Sequence, residues 1–264
     1  MNKLILNYYG FHSIPFSKDI STKDVFSTSA HADALGMMGL AAGKEDVVLL
    51  TGNVGVGKSV VLRSFLHELD ETRYMTLYIR GSSLTVAHLY KYILSGLNIT
   101  PPYASGTARM LYFRKIPELG KRPFIVIDDA QDLPDSTLAE IKSLVNFDLD
   151  SRNCITVVLA GQPEIIRRIK MEHLYALRQR IRLSVTLEPM SCEESVAYID
   201  HHTRICGNEN MLFTEAAKAD IFKKTNGVAR KINTICYNTL LQGAARELKI
   251  IDSNEICIPE LMDD

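Results

Sequence analysis

The sequence has little of what secreted, membrane-spanning or zinc-binding proteins require. Its five cysteines are scattered and show neither a CxxC pair nor a Cys/His metal spacing: Cys154, Cys192, Cys206, Cys236 and Cys257. We therefore expect buried thiols in a reducing compartment. No apolar run approaches the roughly 20 residues of a membrane helix, and the apolar stretch near the start is too short for a signal peptide. These absences predict a cytoplasmic protein without a membrane span.

An excess of charge of one sign is also missing. The 30 basic and 31 acidic residues leave a net charge of −1, which gives no global electrostatic reason to expect nucleic acid or an anionic membrane as a partner. The sequence contains no internal repeat and no low-complexity segment. A chain of 264 residues can instead hold one large α/β domain and a smaller one with an ample core.

What the sequence does contain is a complete phosphate-binding motif, GxxxxGK[ST], at Gly52–Ser59. It follows an apolar run, Val47–Leu50, that predicts a buried strand, and it precedes a segment, Val60–Leu69, with helical apolar spacing. In this context the backbone N–H groups of the loop and the helix N-terminus surround nucleotide phosphates. We expect Lys58 to reach the β- and γ-phosphates and the Ser59 hydroxyl to complete a Mg²⁺ shell. The predicted nucleotide-binding residues are Gly52, Asn53, Val54, Gly55, Val56, Gly57, Lys58, Ser59 and Val60.

Apolar, β-rich runs alternate with helical patterns before Pro189. Several of these runs are continuously apolar, which is typical of strands buried on both faces of a parallel sheet. We predict an α/β fold in which a parallel sheet is sandwiched by helices. The predicted strands are Val47–Leu50, Met75–Ile79, Pro123–Asp129, Ile155–Ala160 and Leu183–Leu187.

The N-terminal residues have a weaker pattern. Those up to about Thr28 mix aromatic, proline and polar residues and predict a loop that lies on the core. A helix is predicted over 30–43, with Leu35, Met38 and Leu40 as candidate core positions. The other expectations before the third strand are a helix over Ser83–Leu97 and a break in regular structure over Pro101–Gly106.

After Pro189 the pattern changes to helices only. The predicted helices are Cys192–Cys206, Thr214–Thr225 and Arg230–Glu247. This change in composition predicts a domain boundary. Residues 1–189 are expected to form the α/β nucleotide-binding domain and residues 190–264 a small helical domain.

Polar residues follow two of the predicted strands where each strand ends. Asp128 and Asp129 close one apolar strand, and Gln162 follows another. The carboxyl ends of parallel strands face the ligand in such sheets, which brings these side chains to the phosphate loop. Asp128 is expected to hold the Mg²⁺ hydration shell, Asp129 to polarise the attacking water, and Gln162 to sense the γ-phosphate or orient that water. Solvated acids and a Gly-Gln-Pro turn are the alternatives.

Three arginines are further candidates for the site. Arg178 and Arg180 lie just before the last predicted strand, where a solvated basic face is the alternative. Arg230 follows Gly227 in a GxxR segment that opens a helix of the small domain. An arginine there can fold onto the nucleotide as a bidentate phosphate clamp.

These residues in this order resemble an AAA+ ATPase, and more narrowly the general secretion pathway protein A (ExeA-like) family. The resemblance covers nearly the whole chain. The matching segments are Tyr9-Gly10-Phe11 with Pro15-Phe16, His31–Leu35, Leu50–Ser59, Ile127–Gln131, Leu159–Glu164, Gln179–Ile181 and Gly227–Asn233. The resemblance implies ATP as the nucleotide, His31 near the adenine and a helical lid domain. It also implies a homo-oligomer in which Arg178 or Arg180 reaches the γ-phosphate of a neighbouring subunit.

One departure from the family pattern concerns catalysis. Asp129 stands where the family usually has a glutamate. Aspartate keeps the charge but is one methylene shorter, so we expect slow hydrolysis or activity that depends on a partner. On this hypothesis Asp129→Glu raises turnover.

The resemblance allows several cellular roles. Secretion members of the family join the ATPase to a membrane helix and a peptidoglycan-binding domain, whereas this sequence stops after the helical lid. It is in this respect similar to transposon-encoded IstB- and TniB-type helper ATPases. That similarity implies an ATP-dependent ring or filament on double-stranded DNA that recruits or stimulates a transposase.

Two alternatives stay open. One is a cytoplasmic ATPase of a secretion or envelope-assembly system that acts on a protein partner, and the other is a nucleotide-dependent scaffold with negligible turnover. Clustered cations provide modest support for DNA, although ordinary surface charge explains each cluster equally well. The clusters are Arg167–Lys170, Arg178–Arg182, Arg114–Lys115 and Lys121–Arg122.

Overall fold

A computed structural model describes residues 2–42, 47–82, 84–147 and 154–259. The described residues form two compact units, which we call the sheet unit and the helical unit. The sheet unit comprises those within Ala30–Val54 and Lys58–Leu187, and the helical unit those within Met1–Ser29, Gly55–Gly57 and Glu188–Asp264. The N-terminal segment thus groups with the C-terminal helices. The predicted domains, 1–189 and 190–264, stay a prediction.

One or two helices separate successive strands along the described part of the chain. The strands are β1 (Val47–Gly52), β2 (Tyr74–Arg80), β3 (Arg122–Asp128), β4 (Thr156–Gly161) and β5 (Ile181–Leu187). The helices are α1 (Asn2–Tyr9), α2 (Ser29–Ala42), α3 (Lys58–Glu68), α4 (Val86–Gly96), α5 (Ser105–Lys115), α6 (Asp135–Leu144), α7 (Glu164–Ile169), α8 (Tyr175–Arg178), α9 (Cys192–Arg204), α10 (Glu215–Thr225) and α11 (Ala229–Ala245). Within the described ranges, no helix is long and apolar enough to cross a membrane.

The five strands form one parallel sheet in the order β2-β3-β4-β1-β5. Leu159 of β4 is in register with Leu49 of β1 on one side and with Ile127 of β3 on the other. The carboxyl ends of these three strands therefore reach the same edge of the sheet. The predicted α/β fold with a parallel sheet is confirmed, and all five predicted strands are present.

Helices cover both faces of this sheet, which explains why its central strands are apolar throughout. On one face, Leu49, Ile127 and Leu159 belong to a core cluster that also contains Leu94 of α4 and Ile141 of α6. The opposite face carries the alternate residues of each strand. There the Phe65 ring of α3 packs on the Phe124 ring of β3, with centroids 5.2 Å apart. Helix α3 therefore lies on the face to which Phe124 belongs.

Helix α2 corrects one predicted core position. Met38 is fully buried and Leu35 is half-buried, but Leu40 is 71% exposed, so its predicted place in the core is wrong. The buried positions Ala34, Met38 and Ala41 follow the helical repeat, and Leu40 falls outside that stripe.

Other predicted boundaries are either wrong or fall on residues that the structure does not describe. The predicted break over Pro101–Gly106 is wrong at its end, because α5 begins at Ser105. Gly43 and Ser83, predicted as helix ends, lie outside the described residues.

The predicted N-terminal loop is wrong in its first part, because Asn2–Tyr9 forms helix α1. Ile5 and Tyr9 are buried in the core of the helical unit. The Tyr9 hydroxyl donates a hydrogen bond to the Leu248 carbonyl at 3.1 Å, and the Asn208 side-chain amide donates to the Tyr9 carbonyl at 2.7 Å. Tertiary packing therefore stabilises a helix that is too short to be stable alone.

The helical unit also has local sequence signals that define its elements. Ser191 and Glu194 form a capping box at the start of α9. The Glu194 carboxylate also accepts hydrogen bonds at 2.9 Å from the backbone N–H and the hydroxyl of Ser29. Apolar residues of α9, α10 and α11, among them Ile199 and Ile221, then close a second core.

The helical unit buries a histidine that makes stability depend on pH. His202 stacks on Phe16 with ring centroids 5.1 Å apart and lies 4.4 Å from the Tyr198 ring. Burial, with a smaller contribution from neighbouring His201, lowers the pKa of the His202 imidazole to about 4. Below pH 6.5 the unfolded chain binds a proton that the folded chain does not, so stability is lost as pH falls from about 6.5 towards about 4.

We predict that His202→Phe removes this dependence while keeping an aromatic ring in the core. Between pH 7 and pH 5 the wild-type unfolding free energy should fall by about 2 kcal/mol more than that of the variant. Urea unfolding at both pH values measures this difference. His67→Phe is the control, since His67 is exposed on α3 and its replacement should preserve the wild-type dependence. Equal pH dependence in wild type and His202→Phe would contradict the assignment.

Candidate nucleotide-binding site

The phosphate motif forms a loop between the end of β1 at Gly52 and the start of α3 at Lys58. Gly55 and Gly57 have φ angles of +86° and +113°, in the region that favours glycine. The Lys58 ammonium donates hydrogen bonds to the carbonyls of Gly52 at 2.7 Å and Asn53 at 3.0 Å. The lysine is therefore folded against its own loop. This strand, loop and helix are the context in which backbone N–H groups bind phosphate.

Gly55 also contacts the first turn of α11 within the helical unit. The Arg230 backbone N–H donates to the Gly55 carbonyl at 3.1 Å. A Cβ atom added at Gly55 would lie 2.7 Å from the Arg230 Cβ and 3.2 Å from a Val228 methyl group, so a side chain does not fit there. The backbone of the predicted lid arginine thus contacts Gly55 directly. Its side chain is exposed, and its phosphate contact stays a prediction.

Asp128 is a buried carboxylate at the end of β3. It is 6% exposed. Its Oδ1 accepts the backbone N–H of Asp129 at 2.9 Å, and its Oδ2 accepts the Tyr78 hydroxyl at 2.6 Å. Partial burial, together with this hydrogen bond, raises the pKa of the Tyr78 hydroxyl to about 12. Tyr78 is therefore a neutral donor across the physiological pH range.

The residues at this edge fit a magnesium ion. Asp128 and Phe124 are four residues apart on β3 and so lie on one face, the face on which α3 packs. Ser59 is in the first turn of α3. A hydroxyl and a carboxylate are the oxygen ligands that Mg²⁺ takes, usually together with water and phosphate oxygens. In the described part of the chain, no three His, Cys, Asp or Glu side chains are grouped as a metal site.

Asp129, the predicted water-orienting acid, has an unusual backbone. Its φ and ψ are 52° and 42°, in the left-handed region, and it precedes the 3₁₀ turn Ala130–Asp132. Asp129 Oδ1 accepts a long hydrogen bond, 3.4 Å, from the Gln131 side-chain amide. Aspartate is enriched in this conformation relative to most residues, because its short polar side chain can bond locally.

Gln131 connects the ends of two strands. Its Oε1 accepts the backbone N–H of Gln162 at 2.9 Å, while its Nε2 donates towards Asp129. The Arg168 guanidinium donates to the carbonyls of Gln131 and Leu133, both at 2.6 Å. The loops after β3 and β4 are therefore held as one hydrogen-bonded network. Gln162 lies in it through its backbone, and the role of its side chain stays a prediction.

Arg178 and Arg180 precede β5, as the sequence indicates. The exposed Arg178 donates to the Lys170 carbonyl at 3.3 Å, and its guanidinium lies 5.0 Å from the Tyr175 ring centroid. Arg180 lines a small pocket of the sheet unit with Lys142, Ser143, Asn146 and Ala176. Their action on a neighbouring subunit stays a prediction.

His31 lies on the buried stripe of α2 and is 7% exposed. Burial lowers the pKa of its imidazole and outweighs the opposite effect of the Glu68 carboxylate. The side chain is therefore neutral near pH 7. Its place beside the adenine stays a prediction.

Sequence reasoning missed Tyr78 and the contacts of Gln131 and Arg168. Gln131 lies inside a recognised motif, Ile127–Gln131, so its motif position could have indicated it. Arg168 falls within a predicted surface cluster, yet it binds two carbonyls and the Asp135 carboxylate. Tyr78 has no local signal, because only strand pairing brings it beside Asp128.

Comparisons with known proteins agree with the fold. An AAA domain family model matches residues 42–169. Cdc6p from Pyrobaculum aerophilum superposes with a TM-score of 0.72 at 18% identity, covering 89% of this chain and 67% of that chain. The ORC1 protein of Aeropyrum pernix, solved in complex with DNA, has a TM-score of 0.67 at 13% identity, with coverages of 91% and 66%. The RuvB Holliday junction branch migration motor of Thermotoga maritima gives 0.59 at 16%, with coverages of 87% and 67%.

The chain therefore has the fold of an AAA+ P-loop ATPase. Among curated proteins, general secretion pathway protein A of Aeromonas hydrophila is 32% identical over 248 residues, which is 90% of this chain and 45% of that protein. This match supports the resemblance to ExeA-like ATPases. The chain spans less than half the length of that relative. The finer resemblance to IstB- and TniB-type helpers stays a prediction.

The Gln131 network generates a prediction about turnover. Gln131→Ala removes the amide that contacts both Asp129 and the Gln162 backbone, but it leaves the phosphate loop unchanged. We expect kcat for ATP to fall about tenfold with little change in ATP affinity, since misplacing a catalytic group affects the transition state more than the ground state.

Steady-state hydrolysis and direct nucleotide binding measure the two quantities. Glu71→Ala, an exposed residue in the turn before β2, is the surface control and should leave both unchanged. A loss of affinity equal to the loss of kcat would contradict a positioning role for Gln131.

Proposed function

We propose that the chain binds ATP with Mg²⁺, hydrolyses it slowly, and uses the bound nucleotide to control its assembly with copies of itself and with a protein partner. The observation that carries this proposal is the phosphate loop at the same sheet edge as the paired acids Asp128 and Asp129. The AAA+ fold supports an ATPase in general.

The phosphate loop supplies the binding part of the proposed cycle. The loop N–H groups and the Lys58 ammonium bind the phosphates, and Lys58 must then exchange its carbonyl partners for phosphate oxygens. Ser59 and Asp128 hold the hydrated magnesium, which neutralises phosphate charge when bound. Arg230 binds the phosphates through its guanidinium. Its backbone contact with Gly55 supports this role.

Asp129 supplies the hydrolytic part of the proposed cycle. Asp129 accepts a proton from, or orients, the water that attacks the γ-phosphorus, while the bond to the β–γ bridging oxygen breaks and ADP leaves. Gln131 holds Asp129 and the Gln162 backbone in one network, so the attacking and sensing groups move together. Arg178 or Arg180 of a neighbouring copy completes the site in an oligomer.

The proposed partner is a protein of a secretion or envelope-assembly system. This choice rests on the 32% identity with general secretion pathway protein A, which extends over 90% of the chain. In this role the nucleotide state sets whether the oligomer engages its partner. The chain requires only slow turnover for such a switch, in keeping with aspartate at position 129.

A second candidate function is a DNA-bound helper of transposition that recruits or stimulates a transposase. The observation that favours it is local: Arg167, Lys170 and Arg178 are exposed on the α7–α8 segment, and Arg178 contacts the Lys170 carbonyl. Cations grouped in this way suit a phosphate backbone. A solved relative in fold, the ORC1 protein of Aeropyrum pernix, was determined in complex with DNA.

Hydrolysis is tested by separating binding from turnover. We predict that Lys58→Ala weakens ATP binding at least about tenfold, since it removes a charge-assisted phosphate contact. Asp129→Asn should keep ATP binding and lower kcat by about 10²-fold or more. Asp129→Glu should raise kcat above the wild-type value.

Radiolabelled ATP binding and phosphate release measure these effects, with Glu71→Ala as the surface control. Wild-type protein that binds ATP without any turnover would instead support the scaffold alternative. An unchanged or lower rate in Asp129→Glu would argue against Asp129 as the water-orienting group.

The two partner classes are separated by salt-dependent DNA retention. If the DNA role is correct, ATP-loaded protein is retained on duplex DNA, and the triple variant Arg167→Ala, Lys170→Ala, Arg178→Ala reduces the salt slope by about 0.9 for each phosphate that it no longer neutralises. The triple variant Lys3→Ala, Lys18→Ala, Lys23→Ala removes as many exposed cations from the helical unit and serves as the control. Intact ATP-dependent oligomerisation without nucleotide-dependent DNA retention would exclude the DNA role and favour a protein partner.

A further inference from the structure

The contact between Tyr78 and Asp128 points to a residue of the site that no motif contains. Tyr78 lies on the edge strand β2, in register with Val126 of β3. Asp128 is two residues further along β3 than Val126, so it belongs to the same face of the sheet. The tyrosine side chain crosses from one strand to the next, and its hydroxyl donates to Asp128 Oδ2 at 2.6 Å.

With this hydrogen bond, both oxygens of the Asp128 carboxylate accept from a donor. Oδ1 already accepts the Asp129 backbone N–H at 2.9 Å, so each oxygen has one donor and the carboxylate plane is set from both sides. A carboxylate oxygen has two acceptor positions, and one donor leaves the other free for a metal-bound water. Because Asp128 is 6% exposed, bulk water does not replace a lost donor easily.

The environment of Tyr78 makes this contact specific rather than a consequence of core packing. Leu77 and Ile79, which flank Tyr78 in β2, point to the opposite face of the sheet and contribute to the core cluster, whereas Tyr78 is 45% exposed. A tyrosine ring held half in solvent contributes little to the core. Its hydroxyl, by contrast, has one short hydrogen bond, and that bond is to the predicted magnesium residue.

We propose that Tyr78 is a positioning residue that holds the Asp128 carboxylate in the orientation that receives hydrated Mg²⁺ beside the nucleotide. This inference rests on the proposed function and names a residue that controls the metal affinity of the site. Residues that hold a metal-binding group in place typically change metal affinity or activity 10–100-fold when they are removed. Tyr78 acts only through Asp128 and does not touch the phosphates.

The test variant is Tyr78→Phe, which removes only the hydroxyl. At saturating ATP, the Mg²⁺ concentration for half-maximal hydrolysis should rise about tenfold, whereas kcat at saturating Mg²⁺ stays within about twofold of wild type. A second measurement does not need turnover: the free Mn²⁺ signal in electron paramagnetic resonance reports Mn²⁺ binding to the protein with ADP. The same weakening of about tenfold is expected there.

Two controls frame the result. Tyr92→Phe removes the hydroxyl of another exposed tyrosine of the sheet unit and should change neither quantity. Asp128→Asn should weaken Mn²⁺ binding at least as much as Tyr78→Phe. Thermal unfolding of all three variants checks that the fold is retained.

The outcomes distinguish this inference from the proposed function. Wild-type affinity for Mg²⁺ and Mn²⁺ in Tyr78→Phe overturns the positioning role, as does a gain in affinity, which would make the tyrosine a competitor of the metal. A lower kcat at saturating Mg²⁺ in Tyr78→Phe, with the Mg²⁺ and Mn²⁺ affinities unchanged, also overturns it. If the wild type binds Mn²⁺ with ADP but hydrolyses nothing, the proposed hydrolysis fails, and the Mn²⁺ measurement still decides the role of Tyr78.

Discussion

The register of three parallel strands is the constraint on which the rest of the site depends. Leu49, Leu159 and Ile127 are level with one another across β1, β4 and β3. Each strand then ends within a few residues of that level, so the phosphate loop, the paired acids and Gln162 all emerge at one edge. A slip of one residue in β3 would turn Asp128 to the opposite face of the sheet, away from α3.

Hydrogen bonds between loops also organise this edge of the sheet. Strand register alone does not fix the positions of these loops. Gln131 joins the loop after β3 to the backbone after β4, and Arg168 of α7 holds the first of these loops through two carbonyls. Tyr78 holds Asp128 from the other neighbouring strand. The constraint is strongest at Asp128, which is buried, because a buried carboxylate without its donors would cost a desolvated hydrogen bond. The acids are therefore held from both sides before any ligand arrives.

The sequence predicts those parts of the molecule that depend on local pattern. Strand β3 is apolar over its whole length because both faces are buried, and the glycine loop is a contiguous motif, so both are visible without a structure. Helix α1 cannot be predicted in this way, since its stability comes from Asn208 and from packing against residues far along the chain. The prediction for Leu40 fails because three apolar residues in α2 fit more than one stripe, and only packing selects the stripe of Ala34 and Met38. Tyr78 is hidden for a similar reason, because its partner is 50 residues away and reached only by strand pairing.

The backbone at position 129 favours aspartate, independently of the effect of its side-chain length on turnover. A left-handed conformation costs an ordinary residue roughly 1–2 kcal/mol, and aspartate lowers that cost through local hydrogen bonds. At φ 52° the chain turns sharply out of β3 into the 3₁₀ turn Ala130–Asp132, which directs the Gln131 amide back to Asp129 and to Gln162. Strain of this kind persists only where surrounding contacts enforce it, and here Gln131 and Arg168 supply them. The position of the acid is thus set by the turn and its network, so a shorter side chain can still occupy a defined place at the sheet edge.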